Sequence, residues 1–192
     1  MAREAKPKYI IMCVGFTHSG KTTFAKNLVK ELPDLVLIDN DEIASFINEK
    51  FSPAVFSEYN KTKRSYQEPN LKFLLATEIL KFCLKANLNI IQASGNLGSD
   101  ARIFIKKYAK KFNYQLITIY FNLPRETILD RINNTKKETK SFRSAKSWSE
   151  ILPKQLSYAK LPPSRKNTIF YEINKKEDYA SVLSMVLKLL KN

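Results

Sequence analysis

Short unbroken apolar runs alternate along the chain with longer segments whose apolar residues recur every three to four positions. The first run, residues 9–14, reads Tyr-Ile-Ile-Met-Cys-Val. With no polar residue in it, the run predicts a parallel strand buried on both faces. Further strands are predicted over 35–38, 89–93, 115–121 and 168–173. Between them lie helix-period segments. Residues 21–32 place Phe24, Ala25, Leu28, Val29 and Leu32 on one face and stop before Pro33. Residues 41–51 follow, with Asn40 or Asp41 as N-cap. Residues 71–86 form a strong helix whose apolar face is expected at Leu71, Leu74, Leu75, Ile79 and Phe82. Helices over 100–112 (Ser99 or Asp100 near the cap), 124–136 (Pro124 at or near the first helical position), 149–158 and 179–190 complete the set, with Pro162-Pro163 breaking the chain after the third of these. This alternation predicts an α/β fold: one three-layer domain over residues 1–192, a parallel five-stranded sheet with helices on both faces. Two stretches carry no clear period. Residues 52–69, with Tyr59, Lys61, Lys63, Arg64 and Tyr66, are expected to form an excursion on the substrate side. Residues 137–147 are polar and basic and are expected to form a lid.

Composition narrows the partners more than the fold. The chain has 192 residues, 44% hydrophobic and 11% aromatic, which fits a packed globular domain. The longest apolar run is far shorter than the ~20 residues a membrane span needs. Met1-Ala2-Arg3-Glu4 leads straight into the first strand without a signal-peptide cleavage pattern, so a cytoplasmic setting is expected. Two cysteines, Cys13 and Cys83, make neither a disulfide framework nor a metal site, and Cys13 reads as a small core residue. With 33 basic and 18 acidic residues the net charge is +15. That excess suits a polyanionic partner, a nucleotide or nucleic acid, but a lysine-rich solvated surface gives the same number.

One stretch carries chemistry directly. Gly15-Phe16-Thr17-His18-Ser19-Gly20-Lys21-Thr22 satisfies G-x-x-x-x-G-K-[ST] and stands between a predicted strand and a predicted helix, the context this motif requires. The glycines permit a tight turn and close approach to oxygens. Amides at the helix N-terminus favour an anion. The ammonium of Lys21 is placed to follow charge on the β- and γ-phosphates, and the Thr22 hydroxyl to bind magnesium. Gly15, Thr17, His18, Ser19, Gly20, Lys21, Thr22 and Thr23 are therefore the expected nucleotide-binding residues. His18, the sole histidine, is read as a spacer near the nucleotide rather than a base.

Asp39-Asn40-Asp41-Glu42 follows the second strand, at the edge where open α/β sheets place ligands. Asp41 could take a proton from an attacking hydroxyl, and Asp39 could hold magnesium or its water. The same residues also suit a helix N-cap with an acidic first turn. Arg131, Lys136, Lys137, Lys140 and Arg143 gather at and beyond the end of the fifth helix, where cations could clamp a transferring phosphoryl or merely be solvated. Arg131 has the guanidinium fork that suits phosphate.

Taken together, these residues resemble the P-loop kinases of the polynucleotide-kinase and zeta-toxin-like group, an AAA-type ATP-binding group. The likeness extends over roughly residues 9–173 and includes Ser94-Gly95-Asn96-Leu97, the helix from Arg102 to Phe112, Tyr120-Phe121-Asn122-Leu123-Pro124 and Leu161-Pro162-Pro163. It implies ATP and Mg2+ at the loop, Asp41 as general base, and Lys21 with Arg131 as the groups that stabilise charge. It implies an ATP-dependent kinase that phosphorylates a hydroxyl, with the 5′-hydroxyl of a polynucleotide as one acceptor. Three positions depart from the pattern. Ile91-Gln92-Ala93-Ser94-Gly95 lacks the aspartate that usually ends the third strand, leaving Thr22 and Asp39 to hold magnesium. Ala44 stands where polynucleotide kinases carry a phosphate-binding arginine. Thr135, Lys136 and Lys137 occupy the place of a second lid arginine, for which Arg143 could substitute. A small-molecule acceptor, or a nucleotide-dependent binding module with little catalysis, therefore stays open beside the polynucleotide. No N-K-x-D guanine motif follows the fourth strand, so ATP is expected over GTP.

Overall fold

The computed structural model describes residues 6–52, 70–135 and 147–191. Its elements are β1 (Tyr9–Gly15), α1 (Lys21–Glu31), β2 (Leu35–Ile38), α2 (Asn40–Lys50), α3 (Leu71–Lys85), β3 (Asn89–Gln92), α4 (Ser99–Lys111), β4 (Gln115–Phe121), α5 (Arg125–Asn133), α6 (Trp148–Tyr158), β5 (Ile169–Ile173) and α7 (Asp178–Lys191). The five strands form one parallel sheet in the order β2-β3-β1-β4-β5. The expected segments 52–69 and 137–147, with the lid residues Lys136, Lys137, Lys140 and Arg143, lie outside the described residues except for Ser52 and Ser147.

Why a continuous apolar run makes a strand here is visible in β1, all seven residues of which are buried. Alternate side chains leave opposite faces of a strand. Tyr9, Ile11 and Cys13 join one core, with Phe24, Ala25 and Leu28 of α1, Ile128 and Ile132 of α5, Leu152 of α6, and Val182 and Val186 of α7. Ile10, Met12 and Val14 join the other, with Ala76, Leu80, Cys83 and Leu84 of α3 and Ile105 and Ala109 of α4. The layers are thus α3 and α4, the sheet, and α1, α5, α6 and α7. The central strand β1 is flanked by β3 and β4. The chain leaves β1 for α1 on one face and β3 for α4 on the other, which opens a crevice at the carboxyl ends of these neighbouring strands.

Three details differ from the sequence reading. The buried face of α3 is Ala76, Leu80, Cys83 and Leu84, whereas Leu74, Ile79 and Phe82 are exposed. This helix is apolar nearly all round, so its periodicity does not choose a face; the sheet takes the stripe spaced i, i+4, i+7, i+8. The N-cap of α2 is Asp39, whose side chain accepts from the Asp41 amide at 2.8 Å, rather than Asn40 or Asp41. Helix α5 ends at Asn133, short of 136.

Glycine use is sparse and local. The four glycines of the chain are 15, at the end of β1, and 20, 95 and 98, in the loops that follow β1 and β3. Elsewhere asparagine takes the left-handed position after a helix: Asn87 (φ 56°) beyond α3 and Asn113 (φ 58°) beyond α4. Both ends close with Schellman-type bonds, Leu88 N–H to the Cys83 carbonyl at 3.0 Å and Tyr114 N–H to the Ala109 carbonyl at 2.9 Å.

Candidate functional site

The loop between β1 and α1 turns tightly at the edge of the crevice. Gly20 has φ 100°, a left-handed value that a side chain would strain. At Gly15 the constraint is space: a Cβ there would lie 2.9 Å from Phe121 Cβ and 3.0 Å from Ser19 Oγ. The Lys21 side chain is buried and folds back over its own loop, donating to the Phe16 carbonyl and to Ser19 Oγ at 3.1 Å. Thr17 and Ser19 are buried, while Thr23 is exposed.

Two of the expected residues meet across the crevice. Thr22 Oγ1 donates to Asp39 Oδ2 at 3.1 Å. The other carboxylate oxygen, Oδ1, caps α2 through the Asp41 amide. One side chain thereby ties the phosphate loop's helix to the helix that carries Asp41. Asp41 itself is partly buried in the first turn of α2. A hydroxyl and a carboxylate converging here form a hard oxygen pair, which fits Mg2+; this ion characteristically takes one or two protein oxygens beside phosphate and water.

Arg131 also reaches the loop. Its Nη1 donates to the His18 carbonyl at 3.1 Å. Its neighbours on the lid lie outside the described residues. His18 adopts φ 57°, its Nδ1 pairs with Thr17 Oγ1 at 3.0 Å, and its ring meets Trp148 edge-on with centroids 4.6 Å apart. Gln155 accepts from the Thr17 amide through Oε1 at 2.8 Å. Sequence reasoning did not single out Trp148 or Gln155. Their partners lie more than a hundred residues away, and no spacing pattern marks them.

The floor is built from the loop after β3. The Gly15 amide donates to the Gly95 carbonyl at 3.0 Å, and the Asn40 amide to Ser94 Oγ at 3.4 Å. Asn96 Nδ2 donates to the Cys13 carbonyl at 2.8 Å. Arg102, buried on α4, donates to the carbonyls of Asn96 and Leu97, each at 2.8 Å, and of Lys160 at 2.6 Å. Burial lowers its pKa, and the three carbonyls supply the partial negative charge that stabilises the buried cation. Beneath the loop Cys13 is fully buried, and its thiol pKa is pushed up to about 12, chiefly by burial, partly offset by the charge of Lys21 and reinforced by Asp39.

With this geometry in place, known proteins can be compared. A family model described as AAA domain matches residues 10–160. The chain belongs to the AAA domain family. No curated protein matches it. Among solved structures this AAA domain is similar to a sugar kinase from Janibacter sp. HTCC2649, with a TM-score of 0.61 and 16% identity over 96% of this chain and 95% of that one. It is similar to the Mycobacterium tuberculosis APS kinase CysC, solved with AMPPNP and APS (TM-score 0.60, 13% identity, 97% and 99% covered). It is similar as well to a gluconokinase from Sinorhizobium meliloti 1021 (TM-score 0.56, 12% identity, 96% and 95% covered). The AAA domain therefore has the three-layer P-loop fold of these kinases, with the parallel five-stranded sheet that the strand–helix alternation predicts. Among the described residues no helix is long and apolar enough to cross a membrane.

Proposed function

We propose that this chain is an ATP-dependent phosphotransferase that moves the γ-phosphoryl group to a hydroxyl of a small molecule. The observation that carries this reading is the double use of the Asp39 carboxylate, on Thr22 at 3.1 Å and on the Asp41 amide at 2.8 Å. It ties the first turn of α1 to the first turn of α2, the helix that carries the second carboxylate, Asp41.

In this reading the amides around Ser19 to Thr22 bind the phosphates, with Gly15, Thr17, His18 and Thr23 completing the loop. Lys21 turns from its resting partners Phe16 and Ser19 to the phosphate oxygens. Thr22 and Asp39 hold Mg2+, which would neutralise phosphate charge when bound. Asp41 accepts the proton of the acceptor hydroxyl as its oxygen bonds to the γ-phosphorus and the bond to the β-phosphate oxygen breaks, leaving ADP. Arg131 stands over the loop to meet charge on the transferring group.

A small-molecule acceptor is supported by the likeness to a sugar kinase, a gluconokinase and an APS kinase. Ala44, where polynucleotide kinases carry an arginine, points the same way and is buried. The +15 charge is what favours a polynucleotide instead. A labelled-ATP assay against sugars, sugar acids, APS and 5′-hydroxyl oligonucleotides separates the readings. Transfer to a small molecule is expected; transfer to the oligonucleotide alone would overturn the acceptor, and tight ATP binding without transfer would make the chain a binding module. Asp41→Asn is expected to lower kcat by about 10²–10⁴-fold with ATP affinity retained. Full activity in that variant would remove Asp41 from the base role.

A further inference from the structure

Helix α6 lies against the phosphate loop through one face. Trp148, Ile151, Leu152 and Gln155 recur at the spacing of a single helical stripe. Ile151 and Leu152 are buried, while Trp148 and Gln155 touch consecutive loop residues, His18 and Thr17. Just beyond the helix, Lys160 is fixed at both backbone atoms, its amide to the Leu97 carbonyl at 2.9 Å and its carbonyl to Arg102. The helix is therefore anchored to the floor of the site, not only to the loop.

The loop needs such a grip. His18 is a non-glycine residue at φ 57°, a conformation that persists where its surroundings over-determine it. The Thr17-His18 pair is held at both ends. Gln155 takes the amide of Thr17, Arg131 takes the carbonyl of His18, and the His18 ring rests on Trp148. Of these, only Gln155 fixes a backbone N–H within the motif whose amides are the anion donors. It does so with a neutral acceptor, which adds no negative charge beside phosphate.

We infer that Gln155 is a positioning residue of the nucleotide site: its side-chain oxygen holds the Thr17 peptide so that the loop's amides are pre-set for the triphosphate. The inference rests on the ATP-binding reading above, and on none of the steps after binding. Preorganised donors bind an anion without first having to be ordered. Loss of the oxygen should therefore appear as weaker nucleotide binding, not as lost stability.

Calorimetric titration of the full chain with ATP and with ADP tests this, alongside thermal unfolding. Gln155→Met keeps the length and removes the acceptor; it is expected to weaken ATP by about tenfold, the size of one well-placed hydrogen bond. Gln155→Glu keeps an acceptor but brings a negative charge to the phosphates; it is expected to weaken ATP by about a hundredfold and ADP by less. Both should unfold within about 3 °C of the parent, as for a partly exposed side chain. Trp148, the sole tryptophan, supplies a second signal of nucleotide arrival at the loop. Parent-like ATP affinity in both variants overturns the inference. So does a binding loss that tracks a drop in Tm, which marks ordinary helix packing. If the parent binds ATP but transfers phosphoryl to nothing, the proposed reaction fails and this inference stands.

Discussion

The two sides of the crevice are built differently. On the phosphate side, β1, α1, α5 and α6 direct polar groups at backbone: Arg131 to the His18 carbonyl, Gln155 to the Thr17 amide, Lys21 to the Phe16 carbonyl. On the other side, α2 and α3 join through apolar residues, several of which reach the surface. Ile43, Phe46, Leu75 and Ile79 line a shallow groove there, and Phe46 is 52% and Phe82 69% exposed. Polar contacts to backbone fix a geometry, and every donor must find its acceptor at one angle. Apolar contact fixes area and tolerates sliding. A triphosphate is one shape for every kinase, whereas an acceptor differs from one enzyme to the next; on the proposed reaction, the two construction styles suit those two ligands.

The contrast can be tested in order of size. Lys21→Ala removes the cation of the phosphate side and is expected to lower phosphoryl transfer by on the order of 10³-fold. A loss below tenfold, read from initial rates at saturating ATP, would mean that the folded-back lysine does not turn to the phosphates. Next, Leu80→Ala and Phe82→Ala compare the buried and exposed stripes of α3. The first should cost about 2–5 kcal/mol by denaturant unfolding and the second less than about 0.5 kcal/mol. Equal costs would show that Phe82 is covered in solution. A further test concerns the floor. With its pKa near 12 in the folded chain against 9.0 for a free thiol, Cys13 keeps its proton when folded after the unfolded chain has lost it. The unfolded state then binds fewer protons, so this thiol leaves stability unchanged below about pH 8 and lowers it as pH rises from about 9 toward 12. At pH 10 the loss is on the order of 1 kcal/mol. Cys13→Ala should remove that slope, and the native chain should resist a thiol reagent at Cys13 at pH 8.

Where the sequence was informative, the reason is short-range. Buried parallel strands must be apolar throughout, so β1 and β4 are visible as runs. The phosphate loop is visible because eight consecutive residues carry its whole requirement. Asp39 and Thr22 were paired by chemistry before the crevice placed them 3.1 Å apart. The buried stripe of α3 was not legible, because a helix apolar on every side leaves the choice to tertiary packing. Asp39 as the cap of α2 was missed for a related reason: three adjacent residues, Asp39, Asn40 and Asp41, can all cap, and the backbone decides. The contacts of Gln155 and Arg102 were illegible because what these side chains bind is main chain, which has no sequence signature, and that of Trp148 because the His18 ring it meets lies far away along the chain.

Ser94 and Gly95 are consecutive, yet one bonds the first residue of α2 and the other the first residue of the phosphate loop. On the proposed reaction, this two-residue splice sets the gap between donor and acceptor seats through one side-chain and one backbone acceptor. Neither ligand has to build the seat of the other. On the proposed reaction, the floor of the site imposes no order of addition, and either substrate can arrive first at a gauge that is already set.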